Sequence, residues 1–160
     1  TLEPIDAAAV KKLRANQGTD KLRLINLWAT WCGPCVAEMP DLVEIGRQFE
    51  TRGFDLVTIS LDDAGASGKA LAMLKRFHAA MPRLTEASVK EEGRRTNNYH
   101  WTGDPDALAE LVDPEWPGAL PHTLLVAPGG EVLYRHNGEI DPDELRRQIV
   151  GHLGRFYTPE

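Results

Sequence analysis

The stretch at residues 25–40 of the chain has the sequence Ile-Asn-Leu-Trp-Ala-Thr-Trp-Cys-Gly-Pro-Cys-Val-Ala-Glu-Met-Pro. It joins an apolar run over residues 22–29 to a helical pattern that continues to about Arg52. Both cysteines of the chain, Cys32 and Cys35, lie at the junction. Since a strand, a turn and a helix are the setting that a redox-active Cys-x-x-Cys pair requires, we interpret the pair as a redox dithiol.

The two cysteines are predicted to have different chemical roles because their positions on the helix differ. Cys32 lies at the helix N-terminus, where unpaired N–H groups and the helix dipole favour a thiolate. Cys35 lies one turn further in and is better shielded, so it can attack a mixed disulfide formed on Cys32. The sequence therefore predicts Cys32 as the attacking nucleophile and Cys35 as the resolving thiol.

A zinc site and a static structural disulfide are the two alternatives for this pair. A structural disulfide that closes so short a loop constrains the unfolded chain little. A zinc site would need two further ligands, and with no cysteine left these would have to be histidines. None of the histidines forms the His-x(3–5)-His pair that zinc fingers usually show. The five candidates are His78, His100, His122, His136 and His152.

Residues 25–40 resemble the active-site segment of the thioredoxin superfamily. Within it they are most similar to the TlpA-like (ResA-like) extracytoplasmic thiol-disulfide oxidoreductases, which include cytochrome c maturation proteins. The resemblance extends to residues 120–126 (Leu-Pro-His-Thr-Leu-Leu-Val) and to the glycine pair at 129–130, whereas residues from about 82 to 117 lack a clear family pattern. It implies a thioredoxin-like α/β fold, with a mixed central sheet flanked by helices on both faces, in a single domain over residues 1–160.

The resemblance also implies a docking surface beside the dithiol. Thioredoxin-like proteins keep a cis proline opposite the dithiol, just before a strand, and Pro121 matches that position. The backbone of its neighbour Leu120 would pair with an extended substrate segment, as in strand addition. Apolar side chains would form a rim on which a partner's cysteine docks. The substrate-binding residues predicted in this way are Trp28, Trp31, Gly33, Pro34, Leu120 and Pro121.

Asn26 and Glu38 are the residues that bear on proton transfer. Thioredoxins that resemble this segment carry a buried Asp at the position of Asn26, and an amide cannot replace it because it does not titrate. By resemblance, a Glu at the offset of Glu38 in the TlpA-like group lies near the dithiol and tunes its proton chemistry. The alternatives are a hydrogen-bonded core amide at Asn26 and a solvated surface carboxylate at Glu38.

The remaining periodicity predicts further strands and helices around this segment. In the active-site helix, Ile45 is predicted to lie at the edge of the buried face. An amphipathic helix that includes Leu71 and Met81 is predicted to end before Pro82. His122 is predicted to point away from the dithiol into the sheet. The other predicted elements are a helix over 7–16 capped by Asp6, strands over 22–28, 54–61 and 97–101, a helix over 104–111, a hairpin over 123–136 and a last helix from Asp141.

Composition and charge limit the possible partners. With 18 Lys and Arg against 24 Asp and Glu, the net charge is −6, and the chain has no concentrated basic cluster. Nucleic acid is therefore not an expected partner. No apolar run approaches the roughly 20 residues that span a bilayer. Because the chain starts at Thr1 rather than Met, a removed leader or anchor is one interpretation, and a chosen chain boundary explains the start equally well.

These observations predict a monomeric thiol-disulfide oxidoreductase that reduces or exchanges disulfides in protein partners and is itself supplied by a similar dithiol donor. No cofactor is expected beyond the redox-active disulfide. The Gly33-Pro34 dipeptide, which strongly reducing thioredoxins share, favours the reductase direction. An extracytoplasmic location is expected, with a cytoplasmic one as the alternative. A peroxiredoxin-like peroxidase is disfavoured because the chain has no Thr-x-x-Cys element, and a copper carrier because its relatives use a wider cysteine spacing.

Overall fold

The computed structural model describes residues 1–156 and builds them around one mixed β-sheet. Its strands are β1 (Glu3–Pro4), β2 (Leu22–Trp28), β3 (Phe54–Ser60), β4 (Asn98–His100), β5 (His122–Val126) and β6 (Val132–Asn137). The helices are α1 (Ala7–Ala15), α2 (Gly33–Phe49), α3 (Ser67–Arg76), α4 (Glu86–Lys90), α5 (Pro105–Val112) and α6 (Pro142–Phe156), with a short 3₁₀ turn at Ala64–Ala66. The strand order in these residues is β1-β4-β3-β2-β5-β6.

Strand β2 lies inside the sheet and is buried along its whole length. It runs parallel to β3 and antiparallel to β5. Because successive side chains of a strand point to opposite faces, Leu24 packs in the cluster formed with α2 and α6. Ile25 packs in the opposite cluster with α1 and α5. The predicted strand over 22–28 is confirmed, and its burial on both faces explains the nearly continuous apolar run.

The pairing of β2 with β5 sets the position of the predicted cis proline. The register places Leu27 opposite His122 and Asn26 opposite Thr123. The start of β5 therefore lies beside the end of β2. Pro121, which precedes β5, lies at the same end of the strands as the turn that contains the cysteines. The Leu120–Pro121 peptide bond is cis, as predicted.

Helix α3 ends earlier than the sequence predicts. It stops at Arg76, and Met81, predicted to lie on its buried face, is 74% exposed. His78 adopts a left-handed conformation with φ of 60°. The N–H of Ala79 bonds the carbonyl of Leu74, and the N–H of His78 bonds the next carbonyl along. This pattern is a Schellman motif, which closes the helix with a hydrogen-bonded reversal before Met81 is reached.

Ile45 is the second departure from the predicted pattern. Its side chain is fully buried instead of lying at the edge of the α2 face. The reason is helix α6, whose Leu145 and Ile149 pack in the same cluster as Ile45. A single helix pattern does not reveal a second helix packed on its flank, so the buried face of α2 is wider than its own stripe indicates.

A buried ion network at the other end of β2 was not predicted. Arg23 has no exposed surface, and its guanidinium donates to Asp55 Oδ2 at 2.9 Å and to both oxygens of Glu92 at 2.8 and 2.9 Å. Arg94 donates to the same Asp55 oxygen at 2.6 Å. Lys21 pairs with Glu92 at 3.1 Å. The network ties the segment after α4 to the two central strands, although that segment lacks a family pattern.

Asp55→Asn is expected to lower the free energy of unfolding by about 3–5 kcal/mol, because it removes the carboxylate that two buried guanidinium groups share. The measurement is urea denaturation at neutral pH. Glu50→Gln is the matched control, since it breaks the exposed pair with Arg83 and should cost less than about 1 kcal/mol. Equal losses in the two variants would contradict a structural role for the network.

Candidate active site at the start of the second helix

The two cysteines form a disulfide at the N-terminus of α2, with their Cα atoms 5.3 Å apart. Cys32 is the N-cap residue and has an extended backbone. The backbone N–H of Cys35 points at the Sγ atom of Cys32, 3.2 Å away. Pro34 lies in the first turn, where a missing N–H costs nothing because the first N–H groups of a helix have no partner inside it. The sequence thus places a sulfur atom at the end of the helix that favours negative charge.

Exposure separates the two sulfur-bearing residues. Cys32 retains 6% exposure and Cys35 has none. Around Cys32 lies exposed surface from Trp31, which is 69% exposed, and from Gly33 and Pro34. An incoming sulfur atom can therefore approach from the side of Cys32 only.

The predicted rim is only partly present at the surface. Trp28 is fully buried, so its predicted place on the rim is wrong. Its side chain packs in the cluster that contains Cys35, Met39 and Leu74. Trp28 is therefore part of the buried apolar surroundings of the disulfide.

Leu120 connects the cis-proline loop to the buried cluster that contains the dithiol. This residue is half-buried and packs against the cluster that contains both cysteines. Pro121 is buried, and its carbonyl accepts the N–H of Gly138 at 2.8 Å. Its ring is therefore not part of an exposed rim, and Leu120 is the residue of this pair that a substrate can reach.

Asp62 braces the turn before Cys32, and sequence reasoning missed it. This carboxylate is buried and accepts from the backbone N–H of Thr30 at 3.1 Å and from its hydroxyl at 2.6 Å. Ser60 donates to the other carboxylate oxygen at 2.6 Å. The position just after β3, at the same sheet edge as the cysteine turn, is the signal that could have identified Asp62.

Glu38 is buried on α2, three residues after Cys35, so the alternative of a surface carboxylate is wrong. Its Oε1 accepts from Asn26 Nδ2 at 2.9 Å, and its Oε2 accepts the N–H of Ile140 at 2.8 Å. Asn26 also donates to Thr123 Oγ1 at 3.1 Å, and its own Oδ1 has no partner among the described residues. Asn26 is thus a core amide that is bonded directly to Glu38.

Burial raises the pKa of Glu38 to about 7, although the hydrogen bonds from Ile140 and Asn26 act in the opposite direction. The nearby carboxylates of Glu139 and Asp41 raise this pKa further. The site therefore holds a carboxyl group that gains or loses a proton near neutral pH, one helical turn from Cys35.

Two further properties concern metals and membranes. Within residues 1–156, no three His, Cys, Asp or Glu side chains are grouped so that they could hold a metal ion. Three of the histidines bond to carboxylate or carbonyl oxygens: His100 to Asp62, His122 to Asp113 and His136 to Glu139. No helix in the described part of the chain is long and apolar enough to span a bilayer.

Comparison with known proteins agrees with this geometry. The family model described as Redoxin matches residues 8–149, which is most of the chain. The chain belongs to the redoxin family. Together with the relatives and the solved structure described next, this match confirms the predicted resemblance to ResA-like thiol-disulfide oxidoreductases and the predicted thioredoxin-like fold.

Relatives of this redoxin include proteins named as thiol-disulfide oxidoreductases and thiol:disulfide interchange proteins. The "Thiol-disulfide oxidoreductase ResA" of Oceanobacillus iheyensis is 44% identical over 39 residues, which are 24% of this chain and 20% of that protein. The "Thiol:disulfide interchange protein DsbE homolog" of Paracoccus denitrificans is 26% identical over 143 residues, covering 87% of this chain and 63% of that protein. The chain thus spans less than two thirds of the length of these two relatives.

A solved structure shows the same fold. The crystal structure of a secreted thiol-disulfide isomerase from Corynebacterium glutamicum aligns with a TM-score of 0.65 at 14% identity, over 85% of this chain and 72% of that one. At this identity the likeness concerns the fold alone.

After reduction, Cys32 is expected to react with iodoacetamide at least about tenfold faster than Cys35, because its sulfur is the accessible one and lies at the helix N-terminus. Peptide mapping after timed alkylation gives the two rates, with full alkylation in denaturant as the control for intrinsic reactivity. A faster reaction at Cys35 would reverse the predicted roles.

Proposed function

We propose that this redoxin catalyses thiol-disulfide exchange with protein substrates, and that it acts as a reductase. The observation that carries the proposal is the asymmetric disulfide, with Cys32 at the surface end of α2 and Cys35 buried one turn later. The exposed surface of Trp31, Gly33 and Pro34 supports docking of a partner beside Cys32.

The reaction proceeds in two exchanges. The Cys32 thiolate attacks one sulfur of the substrate disulfide, so that a mixed disulfide forms and the other substrate sulfur leaves as a thiolate, which takes a proton. Cys35, after losing its proton, then attacks Cys32 Sγ; the Cys32–Cys35 bond closes, the mixed disulfide breaks, and the second substrate sulfur leaves as a thiolate that takes a proton. The substrate gains two electrons and the redoxin loses two. A dithiol donor must then reduce the redoxin by the reverse sequence.

Glu38 is the group proposed to accept the proton of Cys35 in the second exchange. Its pKa of about 7 suits a general base at neutral pH. Its spacing of three residues from Cys35 on one helix supports close approach. Asn26 holds Glu38 Oε1 by a hydrogen bond and thereby fixes the direction of the carboxylate.

The biological setting of the proposal is an extracytoplasmic compartment. The word "secreted" in the description of the Corynebacterium glutamicum protein supports this location. Cytochrome c maturation is the process suggested by the ResA-like resemblance, with protein disulfides as substrates. We further propose that residues 1–160 act as a single domain and as a monomer.

Cys35→Ser is expected to stop catalytic reduction of insulin and to accumulate mixed disulfides through Cys32, because the second exchange is blocked while the first remains possible. Non-reducing electrophoresis and mass spectrometry detect the adducts. Cys32→Ser is the matched control and should form no such adduct. Rapid hydrogen peroxide turnover without disulfide reductase activity would support the peroxidase alternative and contradict the proposal.

Glu38→Gln is expected to slow the resolving exchange about 10- to 100-fold and to remove the step near pH 7 from the pH–rate profile. The glutamine side chain keeps one oxygen and gains an N–H₂ group. If the Asn26 amide rotates, its Oδ1 atom, which has no partner among the described residues in the wild type, can accept a hydrogen bond from this group. Stopped-flow single turnover measures the rate. Introducing Asn26→Asp into this variant should restore part of it.

The stability of the same variant provides a second readout. In the wild type, the pKa of Glu38 is higher in the folded chain than in the unfolded one, so the folded state binds the extra proton. Stability is therefore lost as the pH rises from about 4.5 to about 7, by about 3 kcal/mol in total. Glu38→Gln should flatten this slope. An unchanged slope and an unchanged pH–rate profile would show that Glu38 carries no proton.

A further inference from the structure

A second buried polar cluster lies on the face of the sheet opposite to Glu38. His122 follows the cis Pro121 directly and is 1% exposed. Its Nε2 lies 2.7 Å from Asp113 Oδ2, and its Nδ1 lies 3.1 Å from Asn137 Nδ2. The exchange mechanism uses none of these side chains. The prediction that His122 points away from the dithiol into the sheet is confirmed by these contacts.

The hydrogen bonds determine which imidazole nitrogen carries the proton. Asn137 Nδ2 also donates to the carbonyl of Ala119 at 3.0 Å, which identifies this atom as the amide nitrogen. His122 Nδ1 must then accept. The proton therefore lies on Nε2, which donates to Asp113, and the imidazole is neutral in this arrangement.

The same cluster holds the loop that contains the cis proline. The carbonyl of Ala119 accepts from Asn137 and also from Trp116 Nε1 at 2.8 Å. The indole ring of Trp116 stacks on the His122 imidazole, with ring centroids 6.0 Å apart and an interplanar angle of 24°. Ala119 and His122 lie on either side of the Leu120–Pro121 pair. The amide of Asn137 is hydrogen-bonded to both of them and so connects the two ends of the proposed docking segment.

We propose that Asp113, His122 and Asn137 form a positioning unit that fixes the Leu120–Pro121 backbone for docking of a peptide substrate, and that the unit works only while His122 is neutral. The proposal rests on the exchange function proposed above. It concerns substrate docking, and it assigns none of the three residues a role at the sulfur atoms.

The charges around His122 are consistent with a neutral imidazole. Asp113, at the end of α5, is already neutralised by Arg135 of β6, which donates to both of its oxygens at 2.7 and 2.9 Å. Burial lowers the pKa of His122, a change that Asp113 opposes and that Arg135 and His136 reinforce. The other charged groups near this cluster are Arg14 of α1, whose Nε donates to the carbonyl of Val112, and Glu115, which pairs with Arg135.

Protonation of His122 would break the unit. An imidazolium carries N–H groups on both nitrogens, so Nδ1–H would face the N–H₂ group of Asn137 and the two donors would repel each other. Asn137 would then move, and its bond to Ala119 would be lost. Peptide docking should therefore weaken as the pH falls through the pKa of His122, whereas a small disulfide that makes no backbone contacts should be unaffected.

The test uses Asn137→Ala, since Asn137 is exposed and its truncation leaves the core intact. The reduced chain is assayed with two substrates that both release thionitrobenzoate, namely a peptide mixed disulfide and the small symmetric bis(nitrobenzoate) disulfide. We expect KM for the peptide to rise about three- to tenfold with little change in kcat, and the small disulfide to react as before. Glu131→Ala, an exposed truncation just before β6, is the matched control and should change neither substrate.

The pH dependence distinguishes positioning from packing. In the wild type, KM for the peptide should rise as His122 is protonated, and in Asn137→Ala it should be high at every pH. NMR titration should show the amide shifts of Ala119 and Leu120 following the His122 titration in the wild type and not in the variant. In Asn137→Asp, a carboxylate faces Nδ1, so the pKa of His122 should rise.

Three results would overturn the proposal: an unchanged peptide KM in Asn137→Ala, an equal loss for both substrates, or loop amide shifts that do not follow His122. Failure of the wild type to reduce the small disulfide would instead contradict the exchange function. The NMR titration would still decide whether His122 and Asn137 control the loop.

Discussion

The antiparallel register of β2 and β5 is the constraint on which the rest of the site depends. It pairs Asn26 with Thr123 and Leu27 with His122, residues that are about a hundred positions apart in the chain. A slip by one residue would exchange the two faces of β5. Thr123 would then no longer meet Asn26, and His122 would enter the core beside Glu38. The same pairing brings the cis-proline loop to the end of the sheet where α2 begins. One register therefore sets the relative positions of Glu38, the cis-proline loop and the two cysteines.

A helix supplies the buried carboxylate, Glu38, whereas the neighbouring strand carries an amide at Asn26. Glu38 extends from α2 into the interior and is held by Asn26 from β2 and by the backbone of Ile140. Two hydrogen bonds do not offset its desolvation, so its pKa stays near 7. The folded chain therefore loses stability as the pH rises to neutral, because it retains a buried carboxylate whose pKa is about 7.

The sequence predicts those parts of the structure that depend on local pattern. The Cys-x-x-Cys turn between strand and helix, the bounds of β2 and the cis bond before Pro121 all follow from neighbouring residues or from the family resemblance. The errors have a common cause: the burial or the partners of each mispredicted residue are set by parts of the chain that are distant in sequence. Trp28 is predicted on the rim, but Met39 of α2 and Leu74 of α3 pack in its cluster and leave it fully buried. Arg23 falls within an apolar run, and its partners, Asp55 and Glu92, become visible only in three dimensions.

The proposed role of Glu38 as proton acceptor for Cys35 also couples the proton of Glu38 to the redox state of the dithiol. The pKa of about 7 belongs to the oxidised chain, in which both sulfur atoms are neutral. Reduction creates thiol groups that can ionise, and a thiolate near Glu38 disfavours a second negative charge. A Cys35 thiolate one helical turn away would therefore raise the pKa of Glu38 further in the reduced chain, and reduction near neutral pH would then take up a fraction of a proton at Glu38. The titrations of Glu38 and the two thiols consequently belong to one coupled set, and no single apparent pKa of the reduced site can be assigned to one residue alone.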